Sequence, residues 1–283
     1  MYLKIFKNIV PHVICIIFLA SLSLTYFYPV LSNKAILQSD ISQFSGMSKQ
    51  IVDHRIEFDE EPYWLDNAFL GMPSFQVSAI YPFDILRIID QFIRFLPRPA
   101  DYLFLYLLSF YLLIISLNIR YKYALFGAIA FGFSTYLIII LGVGHNTKAL
   151  ALGYMPLVVS GFIMTLNNKH IEGFIITAIS LGLQIHSNHY QMTFYTLIML
   201  MFLVAVYLYN SLKKSQSKIF FKSFFVLFSS VIISVLMNAP AILSTMEYSE
   251  FSTRSKNEIT INPDGSLKES VSGLDKNYIT EYS

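Results

Sequence analysis

The side chains best suited to chemistry in this chain are few and widely spaced. They are Asp40 within LQSDISQFSGM (37–47), the acidic and aromatic stretch carrying Glu61, Trp64 and Asp66, the group His145, Asn146 and Lys148, the group His186, His189 and Gln191, and the cations Arg254 and Lys256. A carboxylate such as Asp40 can take a proton from a hydroxyl as a general base. Lys148, Arg254 or Lys256 can neutralise a phosphate, most effectively where the dielectric is low. Trp64 and Tyr63 offer flat faces for a sugar ring.

Each of these residues also has a plainer use. Asp40 stands beside a candidate helix start, and the residues alone favour a helix-capping role for it. Glu57, Asp59, Glu60 and Glu61 form a charge run of the kind that usually covers a solvated face. His145 follows glycines at a helix end, where it can bond backbone carbonyls. His186 and His189 are three residues apart, a spacing that suits a metal, but no third ligand is evident, so no metal residue is assigned and a divalent cofactor is not indicated. Trp64 and the many tyrosines suit interfacial anchoring. Arg254 and Lys256 suit ordinary loop cations. His12 falls inside the first apolar run and suits a structural role, although an ionisable residue within a membrane is a functional candidate by default.

The elements that must position these groups follow from composition. Of 283 residues, 55% are hydrophobic and 13% charged, with a mean hydropathy of +0.55 and 25 Phe and 19 Tyr. Soluble domains carry roughly a quarter charged residues, so the balance points to a polytopic membrane protein. A single cysteine, Cys15, excludes an intramolecular disulfide and a cysteine-based metal site. The first apolar run, 9–31, is long enough to span and ends in aromatic YFYP instead of small residues, the pattern of an uncleaved anchor. Further spans are expected near 101–119, 123–142, 148–166, 171–186, 190–210 and 222–240, about seven in all. The expected fold is therefore an all-α transmembrane helix bundle over 1–240, with a large first outer loop at 32–100. The polar segment 241–283 reads as the start of a further outer portion, truncated.

Charge sets the expected orientation. Lys4, Lys7, Arg120, Lys122, Lys169, Lys213, Lys214, Lys218 and Lys222 fall on one side with a single acid, Glu172, while the other side holds 17 of the 18 acids. Basic short connections mark the cytoplasmic face, so the N-terminus is expected inside. Within the outer loop, Ile41, Phe44, Met47 and Ile51 recur at helical spacing, predicting a helix that starts just after Asp40. FDILRIIDQFIRFL (83–96) places Asp84, Arg87, Gln91 and Arg94 on one face, the pattern of a helix lying in the membrane interface. On this topology all five polar groups lie on the outer side. Carboxylates, imidazoles, amides and cations beside lipid suit a reaction on a lipid-linked phosphate sugar. An interfacial helix would border a groove for the lipid tail.

The stretches LQSDISQFSGM, EEPYWLDNAFLGMPSFQVS, LPRPADYLFLY, AFGFSTYLIIILGVGHNTKALALGYMP, HSNHYQMTFY and YSEFSTRSKNEITI together resemble the N-terminal part of the YfhO family of bacterial multi-pass membrane proteins, which are related to GT-C-type glycosyltransferases. The resemblance implies an inverting transferase that uses a polyprenyl-phosphate sugar at the outer face of the bacterial cytoplasmic membrane. Its acceptor would be an envelope glycan, lipid or protein. It also implies a catalytic acid in the first outer loop, which is Asp40 here. That family often pairs its acids, whereas Asp40 is flanked by Ser39 and Ile41. Two other classes compete: a transporter or flippase of lipid-linked sugars, which would line a path through the bundle with polar residues, and a non-catalytic envelope assembly subunit. Nothing points to nucleic acid.

Overall fold

The computed structural model describes residues 2–251 and Ser266, with side chains from Ile9 onward. Among them the chain is mostly helical: α1 (Tyr2–Tyr26), α2 (Ser39–Phe58), α3 (Ile85–Ile93), α4 (Ala100–Ser116), α5 (Tyr121–Gly132), α6 (Thr135–Val143), α7 (Asn146–Leu166), α8 (His170–His186), α9 (Tyr190–Lys213), α10 (Ser217–Met237) and α11 (Ala239–Ser249). The chain divides into two compact units. One takes the chain up to Phe44 together with Pro82–Asn238; the other takes Ser45–Tyr81 and α11. The boundary therefore falls inside α2, where the sequence reading keeps 1–240 together.

The first unit is a helical bundle. Four of its helices are long and apolar enough to cross a membrane: α1 over Ile9–Tyr26, α7, α9 and α10. The expected span at 123–142 is broken instead. α5 and α6 meet at an angle of 50° and together make a fifth candidate. The break follows Gly132, where a Cβ would lie 2.6 Å from Leu107 Cδ2, and Ser134 stands at the N-cap position of α6. α4 and α8 have 17 residues each, a rise of roughly 25 Å against a hydrocarbon core of about 30 Å.

α4 is the central element of this unit. Tyr102, Leu103, Tyr106, Leu107 and Tyr111 are all but fully buried in one cluster with Leu19 of α1, Ala124 and Ala128 of α5, and Ala149 of α7. His12 Nδ1 lies 2.7 Å from Tyr111 OH, which gives that histidine a structural partner. The outer helices are apolar outside and polar inside. Ile17, Phe202, Phe225 and Leu236 are exposed, while Gln184, Thr196, Ser234 and Asn238 are buried. Those polar side chains bond across helices. Gln184 Nε2 donates to Ala151 O (3.0 Å) and Thr196 Oγ1 (2.9 Å), Ser234 Oγ to Ala178 O (3.0 Å), and Asn238 Nδ2 to Gly182 O (3.0 Å). This is how helices associate where lipid removes the hydrophobic drive between them.

The short helix α3 reverses the usual soluble pattern. Ile85, Ile88 and Phe92 are exposed, Phe92 by 82%, while Leu86 and Asp90 are buried. Asp84 caps the helix, its Oδ1 accepting from Arg87 N at 3.0 Å. Leu86 packs with Leu105, Tyr154 and Leu183, so α3 rests on α4, α7 and α8. A helix with its charge inward and its phenylalanine outward fits lipid, not water, as its outer neighbour.

The second unit is built on the remainder of α2. Two short strands, β1 (Trp64–Leu65) and β2 (Met72–Pro73), pair antiparallel with Trp64 opposite Pro73. The Trp64 ring lies over Gly71, whose φ of +113° and lack of a Cβ allow the approach. Arg55 holds the loop end: Nε and Nη2 each donate to Glu61 at 2.6 Å, and Nη2 also donates to Ser78 O at 2.9 Å. α11 is tied to this unit by Gln76 Nε2, 3.2 Å from Thr245 Oγ1, and by edge contact of Phe75 with Tyr248.

Candidate functional site

Asp40 is not the cap of α2. It lies within the first turn of that helix, which starts at Ser39, two residues earlier than the spacing predicts. A carboxylate there is favoured by the helix dipole. Asp40 Oδ2 contacts His145 Nδ1, and Ser39 Oγ lies 3.4 Å from Asp40 Oδ1. Two residues 105 positions apart in sequence thus meet at the junction of α6 and α7 with the start of α2.

The meeting depends on close backbone approach. Gly144 has φ +93°, which L side chains rarely adopt, and an added Cβ would sit 2.9 Å from Gln38 Cβ and 3.2 Å from Ile41 Cγ1. Gln38 Nε2 donates to Leu141 O at 2.5 Å, fixing the α2 entry against the end of α6. His145 then occupies the N-cap position of α7 without a side-chain capping bond, which leaves its ring available to Asp40.

Lys148 stands in the first turn of α7 with its Nζ 5.3 Å from the Tyr136 ring centroid. Among the described residues it has no carboxylate partner. A cation at a helix N-terminus opposes the dipole by about 0.3–1 kcal/mol, a local cost that helix stability does not explain. His189, at the N-cap position of α9, completes the group. Its Nε2 is buried with no hydrogen-bond partner among the described residues. Burial, then the charges of Lys148 and His145, push its pKa below the usual 6.5. Three connections, α1 to α2, α6 to α7 and α8 to α9, therefore bring Asp40, His145, Lys148 and His189 together.

The His189 shift has a measurable consequence. With the folded value below the unfolded one, protonation favours the unfolded chain. Stability is complete above about pH 6.5 and falls as pH drops from there through the folded value. Unfolding midpoints at about pH 7.5 and about pH 5 should show this loss in the wild type, and His189→Gln should narrow it. An equal loss in the variant would show that another group titrates.

The remaining candidates separate. His186 pairs with Asp84, Nε2 to Oδ2 at 2.8 Å, so the carboxylate that caps α3 also holds the end of α8. Gln191 Nε2 turns along its own helix to Tyr195 OH at 2.8 Å. Asn146 opens α7. Glu61, Trp64 and Asp66 belong to the second unit. There Glu61 is engaged by Arg55, and Asp66 is held by Gln50, whose Oε1 accepts from Asp66 N at 3.0 Å. Arg254 and Lys256 lie outside the described residues. Among the described residues no group of three His, Cys, Asp or Glu side chains is placed to hold a metal ion.

A second polar cluster is absent from the sequence candidates. Arg94 lies between Asp90 and Asp101. Its Nε donates to Asp90 Oδ1 at 2.9 Å, its Nη2 to Asp90 Oδ2, and its Nη1 to Asp101 Oδ2 at 2.5 Å. Tyr154 OH donates to Asp90 Oδ1 at 2.5 Å, and the guanidinium lies 4.9 Å from the Tyr102 ring centroid. The one sequence signal was the Asp90 to Arg94 spacing of four. Compared with known proteins, the chain matches no family model, no curated protein and no solved structure.

Proposed function

We propose that this chain is a membrane glycosyltransferase, GT-C-like, that moves a sugar from a polyprenyl-phosphate donor to a hydroxyl of an envelope acceptor. In this reading the bundle crosses the bacterial cytoplasmic membrane about seven times. The bent pair α5 and α6 serves as one span, and α4 and α8 as short ones, with the N-terminus in the cytoplasm and the Asp40 group outside. The observation that carries the reading is the contact of Asp40 with His145, with Lys148 of the same helix start unpaired with any carboxylate among the described residues. A carboxylate–imidazole pair can accept the hydroxyl proton. The lysine can meet the charge that grows on the departing phosphate. The exposed apolar face of α3 provides a border for a lipid tail. A flippase path would require charged or strongly polar groups along the middle of the bundle. Gln184, Ser234 and Asn238, uncharged side chains buried in the bundle, bond helix to helix, which favours the transferase.

The test uses the full chain reconstituted in lipid with a panel of polyprenyl-phosphate sugars. Asp40→Asn should reduce transfer by at least about a hundredfold, the lower range for a general acid–base group. Undiminished transfer by a folded Asp40→Asn protein would remove this carboxylate from the chemistry.

A further inference from the structure

We propose that His145 Nε2 is the proton acceptor of this site and that Asp40 is its positioning residue. The inference rests on the transferase reading for the identity of the hydroxyl, but its geometry stands apart from it. Asp40 approaches Nδ1 of the imidazole, not Nε2. A carboxylate accepts and does not donate, so in the neutral imidazole the proton sits on Nδ1 and the lone pair on Nε2. Among the described residues that second nitrogen has no hydrogen-bond partner. The His145 side chain is 48% exposed and that of Asp40 33%, so the imidazole is the more accessible base.

The pair is built, not incidental. Gly144 at positive φ lets the backbone before His145 close on Gln38 and Ile41, and Gln38 bonds the last turn of α6. Each partner thereby follows a fixed contact, His145 that of Gly144 and Asp40 that of Gln38. Asp40 from α2 contacts the imidazole, and His189 from the start of α9 senses both His145 and Lys148 of α7. His189 stays neutral there, and Lys148 supplies the positive charge for a phosphate.

The step balances without a further reactant. The acceptor oxygen bonds to the anomeric carbon of the donor sugar. The bond from that carbon to the phosphate oxygen breaks, its electron pair leaving with the polyprenyl phosphate toward Lys148. The hydroxyl proton passes to His145 Nε2. Asp40 orients the ring throughout and exchanges no proton.

The experiment uses the full chain in lipid nanodiscs and diethyl pyrocarbonate, which acylates the imidazole nitrogen bearing the lone pair, with the His145 peptide read by mass spectrometry. Nitrogen-15 spectra of labelled histidine report the tautomer in parallel. In the wild type the Nδ1–H tautomer and Nε2 acylation are expected. Asp40→Ala should shift the tautomer and slow Nε2 acylation by about tenfold or more, the scale of a hydrogen bond to a charged group. Asp40→Glu should restore part of both, and the other histidines should keep their rates. An unchanged tautomer and rate in Asp40→Ala would overturn the proposal. Sugar transfer in the same samples separates it from the broader reading. Expected labelling with no transfer by the wild type defeats the transferase and leaves the dyad supported. Transfer that survives His145→Gln but not Asp40→Asn makes Asp40 the base and overturns the dyad.

Discussion

Arg94→Met is expected to destabilise the bundle by about 3–5 kcal/mol, the cost of stranding buried charge when one partner of an ion pair is removed. The Arg94 side chain is 8% exposed and that of Asp101 2%. Removing the guanidinium leaves Asp90 with the hydroxyl of Tyr154, and leaves Asp101 with the backbone of Tyr102 and a distant Arg98 at 4.0 Å. Two carboxylates would then share a buried site without the one cation that bridges them. Neutralising them as well, in Arg94→Met with Asp90→Asn and Asp101→Asn, should recover most of the loss, because the penalty comes from unpaired charge and not from lost volume. Denaturant unfolding of the reconstituted chain measures both. A single variant within about 1 kcal/mol of wild type would mean that water reaches the cluster, since pairs open to solvent are worth only that much.

This cluster shows where the sequence stopped being legible. The residues 83–96 announce an amphipathic helix, and α3 is one. A helical wheel, however, gives faces without saying which face meets protein. In water the charged side would turn out. Here Asp90 and Arg94 turn in and Phe92 turns out, an inversion that needs the carboxylate of α4 and the hydroxyl of α7 as partners. Neither Asp101 nor Tyr154 has any sequence mark of that role. Asp40 and His145 tell the converse story. Charge asymmetry and hydropathy assign both to one side, yet their contact depends on Gly144 and Gln38, whose backbone geometry no periodicity reports. The break between α5 and α6 is likewise invisible to a hydropathy window, which sees continuous apolar sequence across Phe133 and Ser134.

The crossing of α7 and α8 carries the second large effect. A Cβ at Gly161 would lie 2.4 Å from Thr177 Oγ1, 2.7 Å from Thr177 N and 3.0 Å from its Cα. At Gly173 the same atom would lie 2.1 Å from Thr165 Oγ1, 2.6 Å from Thr165 N and 2.9 Å from its Cα. The two sites are reciprocal, each glycine of one helix facing a threonine of the other, the small-residue contact that lets membrane helices touch backbone to backbone. Alanine adds about 1 kcal/mol of helix propensity at either position. Overpacking against backbone costs about 1–3 kcal/mol and sometimes more. Because the obstacle is main chain, which cannot swing aside, the upper end applies, and a net loss of about 2–3 kcal/mol is expected for each of Gly161→Ala and Gly173→Ala. Adding Thr177→Ala to Gly161→Ala distinguishes the cause. It removes the hydroxyl but leaves the backbone nitrogen in place, so little stability should return; full recovery would show that the side chain alone was the obstacle. The effect should also travel. The crossing lies near the turn joining α7 to α8, while His145 and Lys148 sit at the far end of α7 and His189 just past the far end of α8. Forcing the helices apart at the turn changes their angle, and the separation of Lys148 from His189 changes with it. The acid sensitivity assigned to His189 should therefore differ from wild type in Gly173→Ala, because its depressed pKa comes from burial and then from the charge of Lys148.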